Sequence, residues 1–227
     1  MAIKIIVSYD GTENDTDALA LGQLLARAGG SLALAYVRHA VEPEEELEKR
    51  AQNEAAELLE NGARWLGEPD VPRYVVISAS TPEGLRDLAE REGAQLIVFG
   101  SEYRTTPGHV QLGTSAQLLV EGGPIALAVA PAGFRDRPDA AIDTIAAVSE
   151  NGDPAAGETA ASLAAGLGAT VVPRAEGEAG LVVIGSKPGT ASGRVTLSAA
   201  AHYLIDLIRS PVLVLPHGTA LRFRAGA

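Results

Sequence analysis

Short apolar runs alternate with longer stretches of helical periodicity along the first 130 residues. Ile3-Lys4-Ile5-Ile6-Val7 is a compact β-branched run closed by Ser8-Tyr9-Asp10-Gly11, which predicts a buried strand over 3–8 and a loop after it. From Asn14 to Ala28, Leu19, Leu21, Leu24 and Leu25 recur at helical spacing before Gly29-Gly30 stops the helix. Leu32 to Val37 predicts a second strand. Pro43 opens a long helix whose Leu47, Ala51, Ala55, Leu58 and Leu59 form one apolar stripe ending near Leu66-Gly67. Arg73 to Ser78 predicts a third strand, and Ser80 caps a helix that turns Leu85, Leu88 and Ala89 inward and stops at Gly93. A fourth strand over Gln95–Phe99, a long loop, a helix over Gly113–Val120 and a fifth strand over Ile125–Ala130 follow. Strands alternating with helices imply right-handed crossovers and a parallel sheet covered on both faces.

The pattern then begins again with its middle left out. Val7-Ser8-Tyr9-Asp10-Gly11 returns as Val148-Ser149-Glu150-Asn151-Gly152, at an offset of 141. Val98-Phe99-Gly100-Ser101 returns as Val183-Ile184-Gly185-Ser186, and Thr114-Ser115-Ala116 as Ala199-Ala200-Ala201, both at an offset of 85. Such repeats decide architecture. The two offsets mean that the second copy lacks the long helix, third strand and third helix of the first. Two tandem α/β units of flavodoxin-like or Rossmann-like type are predicted, residues 1–133 with about five strands and 141–218 with about four, joined by a linker at Pro131–Pro138. Within the second, strands are expected at Thr144–Val148, Ala169–Val172, Leu181–Ile184 and Val212–Leu215. Helices are expected near Pro154–Leu167 and Leu197–Arg209, and Thr219–Ala227 reads as a loose tail.

Composition narrows the picture. Hydrophobic residues make up 46% of the chain but aromatics only 4%, so the cores must be built from Ala, Val, Leu and Ile, which suits parallel strands under helices. A formal net charge of −11 argues against binding nucleic acid or anionic lipid. Much of the acidity lies in Glu42 to Glu60, which reads as a solvated helix face. Cysteine is absent, excluding disulfides and thiol chemistry. No apolar run approaches the roughly 20 residues of a membrane-spanning helix, and the expectation is a cytoplasmic protein with no membrane partner.

Candidate chemistry gathers where ligands bind in open α/β sheets, at the carboxyl ends of the strands beside the point where the order of connection reverses. The loops there are Tyr9–Asn14, Val37–Ala40, Ser78–Thr81 and Gly100–Gly113. The last leaves a strand at Gly100, carries Gly108 and enters a helix through Gly113-Thr114-Ser115. Small residues let backbone approach an anion, while free N–H groups and two hydroxyls supply donors; the alternative is a plain turn with a Ser/Thr cap. Asp10 either serves a ligand or caps the following helix. His39, His109, His202 and His217 form no cluster at metal-ligand spacing, although His109 lies inside the Gly-rich loop. No Gly-x-Ser-x-Gly elbow, no Gly-x4-Gly-Lys-Ser/Thr loop and no base beside a nucleophile occurs, so no catalytic residue, no metal site and no enzyme activity are expected.

The spacing Gly100-x2-Tyr103-x9-Gly113-Thr114, in the loop after a fourth strand, resembles the Gly-x2-Gly-x9-Gly-Ser/Thr signature of the universal stress protein family. The resemblance extends to Asp10 at the first strand end and to the Pro124-led last strand, covering nearly all of the first unit. It implies an adenine nucleotide, ATP or AMP with or without Mg2+, and a regulatory, stress-response role without fast turnover. Asp10 would hold the ribose or adenine edge and the backbone of Val37 would read the base. Gly100 and Gly113 would admit the phosphates, with Thr114 and Ser115 donating to them. Tyr9, Gly11, Ser101 and Gly108 complete the candidate lining. Tyr103 stands where the family has its second glycine, so its side chain either narrows the triphosphate channel or packs its ring over the ligand. In the second unit Asn151 takes the place of Asp10, Pro188 that of the second glycine and Ser198 that of Gly113. That points to a site that has lost nucleotide, although Lys187 and Arg194 could attract an anion.

The rival reading is an interaction module of the same fold whose sites are empty and which acts through its surfaces. Under either reading, both units keep a flat apolar last strand, Pro124–Val129 and Pro211–Leu215, with no charge to guard it. Units of the family that the first unit resembles pair through their last strands, so the resemblance, together with these bare edges, implies an intramolecular pseudo-dimer with the two last strands adjacent and antiparallel, further homo-oligomerisation being left open.

Overall fold

A computed structural model describes residues 2–137, 142–150, 152–173 and 179–223. Among the described residues nine strands form one sheet in the order β3-β2-β1-β4-β5-β9-β8-β6-β7. The first half supplies β1 (Ile3–Ser8), β2 (Gly30–Arg38), β3 (Arg73–Ile77), β4 (Leu96–Gly100) and β5 (Ala126–Ala130), all parallel. The second supplies β6 (Thr144–Val148), β7 (Thr170–Val172), β8 (Leu181–Ile184) and β9 (Val212–Val214), again parallel among themselves. β5 and β9 run antiparallel, joining the halves as the bare apolar last strands predict. Leu127 faces Val214, Ala128 faces Leu213 and Val129 faces Val212. Residues 85 apart thus exchange partners about the Ala128–Leu213 pair, and a pseudo-twofold axis passes between those two residues.

Helices cover both faces. α1 (Glu13–Arg27), α2 (Glu45–Leu66) and α5 (Ala155–Leu167) pack one face, α3 (Thr81–Glu92), α4 (Thr114–Val120) and α6 (Ala199–Leu207) the other. Ser80 caps α3 as its sequence predicts, its hydroxyl accepting from Glu83 N–H at 3.4 Å. α2 starts at Glu45, two residues after Pro43, and its apolar stripe is shifted: Ala55, Leu59, Ala63 and Leu66 are buried, while Leu47 is exposed. The acidic face of α2 is solvated and carries the i,i+4 pairs Lys49–Glu45 and Arg50–Glu54.

Sheet register corrects the alignment of the halves. β1 pairs with β4 through Ile5 and Leu96, and β6 pairs with β8 through Ile145 and Leu181. Ile145 therefore takes the place of Ile5, an offset of 140, while Leu181 stands 85 after Leu96. The side-chain faces agree: Ile5, Val7 and Ile145 point into the α1/α2/α5 layer, Ile6 and Ala146 into the other. A one-residue slip would reverse every one of these positions. The counterpart of Asp10 is accordingly Glu150. The similarity of two short loop strings misaligned them by one; Asn151 itself lies outside the described residues, as do Pro138 at the end of the expected linker and residues 139–141.

The expected loose tail Thr219–Ala227 is corrected over 219–223, its last four residues lying outside the described residues. Residues 219–223 dock along α5, with Leu221 and Phe223 buried in the core. Leu221 N–H donates to Thr159 Oγ1 at 2.9 Å, and Ser162 Oγ donates to Phe223 O at 2.8 Å. Two alternating apolar residues without a strand partner are too weak a pattern to read as structure. The segment after β5 is anchored likewise: buried Asp17 on α1 accepts from the N–H groups of Gly133 and Arg135, each at 2.8 Å. Among the described residues no helix is long and apolar enough to cross a membrane.

Candidate functional site

The order β3-β2-β1-β4-β5 places the reversal of connection between β1 and β4, and the loops that leave those strands fork there. A cleft of about 330 Å3 opens at the carboxyl ends of β1 and β2. Its lining comes from Ser8, Tyr9, Asp10 and Thr12, from Ala35, Tyr36, Val37 and His39, and from Thr81 at the start of α3. That volume sits at the low end of the range for small-molecule sites, about 300–1,000 Å3. A larger recess of about 630 Å3 lies between α2 and the outer strand β3, away from the strand ends.

The β1–α1 loop is fixed from several sides. Tyr9 is buried, its N–H donating to Ala35 O at 2.9 Å and its ring lying under α2 beside Gly62. Burial, then the charges of Asp15 and Asp10, raise its phenol above the ordinary range. Gly11 has φ +85, a conformation that disfavours side chains, and a Cβ added there would lie 3.1 Å from Leu58 Cδ1 of α2. Asp10 is exposed at the cleft mouth, where Oδ1 accepts from Thr12 N–H at 3.0 Å, and its own N–H donates to Asp15 Oδ2. Asp10 both caps the turn and faces the cleft. Burial first, and then the adjoining Asp10 carboxyl, push Asp15 up to about 8. At the other rim, Arg38 forms a two-pronged pair with Glu48 of α2 at 2.8 and 2.9 Å, and this bond holds Glu48 down to about 2.

The loop from Gly100 to Gly113 is held largely by its own backbone. Glu102 N–H donates to Gln111 O at 3.0 Å, Gly108 N–H to Ala132 O at 2.7 Å and His109 N–H to Thr106 O at 3.0 Å. Ser101 is buried; its hydroxyl donates to Ala130 O at 2.7 Å and accepts from Gln111 N–H at 3.2 Å. Gly100 allows a close approach of protein to protein: a Cβ there would lie 2.0 Å from Asn14 O in α1. Asn14 in turn donates to the carbonyls of Ser101 and Glu102, at 3.0 and 2.8 Å. Tyr103 does not line the cleft; its ring is 67% exposed and stacks with the Arg104 guanidinium at 4.9 Å. Gly113 precedes α4, and a Cβ on it would meet nothing within 4 Å. Thr114 is exposed and Ser115 half-buried at the same opening.

The second half repeats this loop bond for bond. Lys187 N–H donates to Thr196 O at 2.8 Å, Gly193 N–H to His217 O at 2.9 Å and Arg194 N–H to Ala191 O at 3.1 Å, each 85 residues after its counterpart. Ser186 takes the role of Ser101, donating to Leu215 O at 2.8 Å and accepting from Thr196 N–H at 3.1 Å. The mouth differs. Ser198, in place of Gly113, caps α6 by accepting from Ala201 N–H at 3.0 Å, and its hydroxyl donates to the Glu150 carboxylate. Arg194 is drawn off to the first half, where its guanidinium donates to Gly122 O at 3.2 Å.

Of the expected site residues, Tyr9, Asp10 and Val37 line the cleft, and Gly11 shapes the loop above it. Gly100, Ser101 and Gly108 serve the loop's internal frame. Gly113, Thr114 and Ser115 lie at the open entry to α4. Asp15 was passed over in the sequence, while Asn14, His39 and Thr81 fell inside the candidate loops without being singled out as site residues. A second carboxylate five residues after Asp10, in the first turn of a helix, was the available signal for Asp15. His39 and Thr81 carried only their place in loops at the strand ends, since the fold alone brings them together.

A profile described as the universal stress protein family matches residues 1–131. No sequence match to a curated protein is found. Among solved structures, a universal stress protein of Archaeoglobus fulgidus DSM 4304 is 14% identical with a TM-score of 0.64, covering 94% of this chain and 98% of its own. A functionally unknown protein of Pseudomonas aeruginosa PAO1 is 18% identical with a TM-score of 0.64, over 96% of this chain and 93% of its own. At these identities the likeness concerns the fold, and in both cases it spans both halves.

Proposed function

Because the chain belongs to the universal stress protein family, we propose that its first half, residues 1–133, binds an adenine nucleotide, ATP or AMP, and that the second, residues 141–218, does not. The observation that carries the reading is the cleft at the carboxyl ends of β1 and β2, with the Asp10 carboxylate at its mouth and Val37 in its wall. A nucleoside lying there would point its phosphate toward Gly113, where the absence of a side chain leaves the approach open. No group of three or more His, Asp or Glu side chains is placed to hold a metal among the described residues, so Mg2+ is given no protein cage in this proposal. The role is regulatory and cytoplasmic, a bound nucleotide altering association rather than being turned over.

The test is Gly113→Val, titrated with a fluorescent ATP analogue and with AMP. The space around Gly113 lets the variant fold, while its side chain fills the phosphate approach, and affinity should fall by about tenfold or more. Unchanged affinity in a folded variant sinks the assignment. The second reading, an interaction module with an empty site, draws on Tyr103 in place of the family's second glycine and on a loop whose donors are turned inward. Absence of saturable binding in the wild-type chain would establish it over the first.

A further inference from the structure

The sheet ends on one side at β7, a strand of three residues, and on the other at β3, a strand of five. After Arg73, β3 runs Tyr74-Val75-Val76-Ile77, with no charge, proline or bulge to guard it. Alternate residues of a strand turn their backbone N–H and C=O to opposite sides. Pro72 O accepts from Leu34 N–H at 2.8 Å and Ser78 N–H donates to Arg38 O at 3.0 Å, so Tyr74 and Val76 face β2 as well. Arg73, Val75 and Ile77 therefore turn their backbone groups outward, where no strand meets them among the described residues. The side chains of these three lie on the α2 side, Val75 39% and Ile77 50% exposed.

Beneath that edge lies the recess of about 630 Å3. Leu59 and Ala63 of α2 form its apolar floor, and Arg73 and Val75 its outer wall. Charge here runs against the net −11 of the chain, since Arg64 and Arg73 line the recess with Glu60 as its acidic residue. Arg64 donates to Asn61 Oδ1 at 2.8 Å and stands 3.7 Å from Glu60. Arg73 has no acidic partner among the described residues.

We infer that β3 receives an extended segment of a partner protein as an added antiparallel strand. An apolar side chain opposite Val75 enters the recess, and a carboxylate meets Arg73. Main-chain bonds to the outward groups supply affinity, and the recess and Arg73 supply the choice of side chain. Antiparallel addition is the slightly more stable pairing, and it reads the partner, from its N-terminus, as apolar, apolar and acidic at alternate positions. A second copy of this chain fits the edge less well. Self-pairing about Val75 sets Ile77 against Arg73 and brings two α2 helices, each with six Glu against three Lys and Arg, onto one face. The edge lies apart from the nucleotide cleft, so the two readings stand or fall separately.

The probe is an acetylated, amidated peptide with Val, Leu and Glu at alternate positions in that order and Thr between and around them. It is titrated into the full chain by calorimetry, and amide exchange is followed by NMR. Saturable binding is expected, with exchange at the outward amides of Arg73, Val75 and Ile77 slowed about tenfold or more and that of Tyr74 and Val76, already bonded to β2, little changed. Val75→Pro removes one outward donor on the solvent side of an edge strand, where proline is accepted, and should weaken binding about tenfold or more. Arg73→Glu should weaken it about threefold or more, and Lys in place of the peptide's Glu should restore binding to that variant. No saturable binding, or binding that folded Val75→Pro leaves unchanged, overturns the inference. Should that variant not fold, unslowed exchange at the three outward amides of the wild-type chain overturns it equally. Affinity indifferent to Arg73→Glu overturns the carboxylate contact. A wild-type dimer in sedimentation that Val75→Pro dissolves makes a second copy the occupant and overturns the partner segment.

Discussion

Residues 100–113 and 185–198 trace the same path, with matched hydrogen bonds 85 residues apart, yet the first enters its helix through a glycine with open space beside it and the second is closed there by its own chain. The difference sits at two positions. Gly113 against Ser198 decides whether the helix entry carries a side chain, and Asp10 against Glu150 decides whether the carboxylate stops at the cleft mouth or reaches that entry. The loop frame is thus a structural element that both halves need. The proposed binding capacity would be a separate property, set at the rim without disturbing the frame.

The comparison can be broken most severely at its axis. Leu213 is wholly buried on the pseudo-twofold, and Leu213→Lys would place a charge there with no partner. A loss of about 4 kcal/mol or more in denaturant unfolding is expected, with both halves affected together. Independent melting of an intact first half would show that the halves do not depend on this pairing.

Next in size is the glycine pair that opens the two loops. Gly100→Ala drives a Cβ to 2.0 Å from the Asn14 carbonyl, whereas at Gly185 the nearest atom, Val148 O, is 3.7 Å away. The first change should cost about 3 kcal/mol or more and the second less than about 1 kcal/mol, since backbone in the way cannot rotate aside. Equal costs in urea denaturation would refute the asymmetry. Asn14 explains it, because its two bonds draw α1 onto the first loop, and the corresponding region of the second half has Pro154.

The smallest effect is sharpened by pH. Asp15 ordinarily titrates near 4 and is pushed up to about 8 in the fold. Between those values the unfolded chain has released the proton that the folded chain still holds, so this contribution to stability falls as pH rises from about 4 to 8 and is flat above. Asp15→Asn should remove that slope and stabilise the chain by about 1–3 kcal/mol at pH 8, with no gain at pH 4. Titrating groups away from Asp15 act equally in both proteins and cancel in the difference, leaving the slope of Asp15 and its neighbours Asp10 and Tyr9. A difference independent of pH would show that Asp15 is ionised in the fold.

Legibility followed the length of the pattern. The alternation of strands with amphipathic helices and the truncated repeat could be read because each rests on many residues agreeing, and the pairing of the last strands followed from the family resemblance together with their bare edges. The register of β6 could not, since only its pairing with β8 fixes which of two adjacent residues faces which layer. The docked segment at Leu221 and Phe223 failed for the same reason, two residues being too few to show a period. At the site, Asp10, Val37 and Gly113 were visible as residue types at strand ends and a helix entry. The inward work of Gly100 and Ser101 was not, because a glycine beside a helix of its own protein looks in sequence like a glycine beside an anion. Tyr103 could be located but not oriented.

The axis between Ala128 and Leu213 carries a consequence for how such a chain can change. In a symmetric pair of identical subunits, the residue on a twofold meets its own copy, so volume there comes only in matched sizes. Joined in one polypeptide, the two positions are separate letters, and this chain sets a small residue against a large one, both fully buried. The seam has become a lock with two different faces. An isolated first half pairing with itself would bring Ala against Ala and leave room unfilled, while an isolated second half would crowd Leu against Leu. Covalent fusion thereby favours the internal partner over any stray copy, and each half has been free to drift at its mouth while remaining bound to the other.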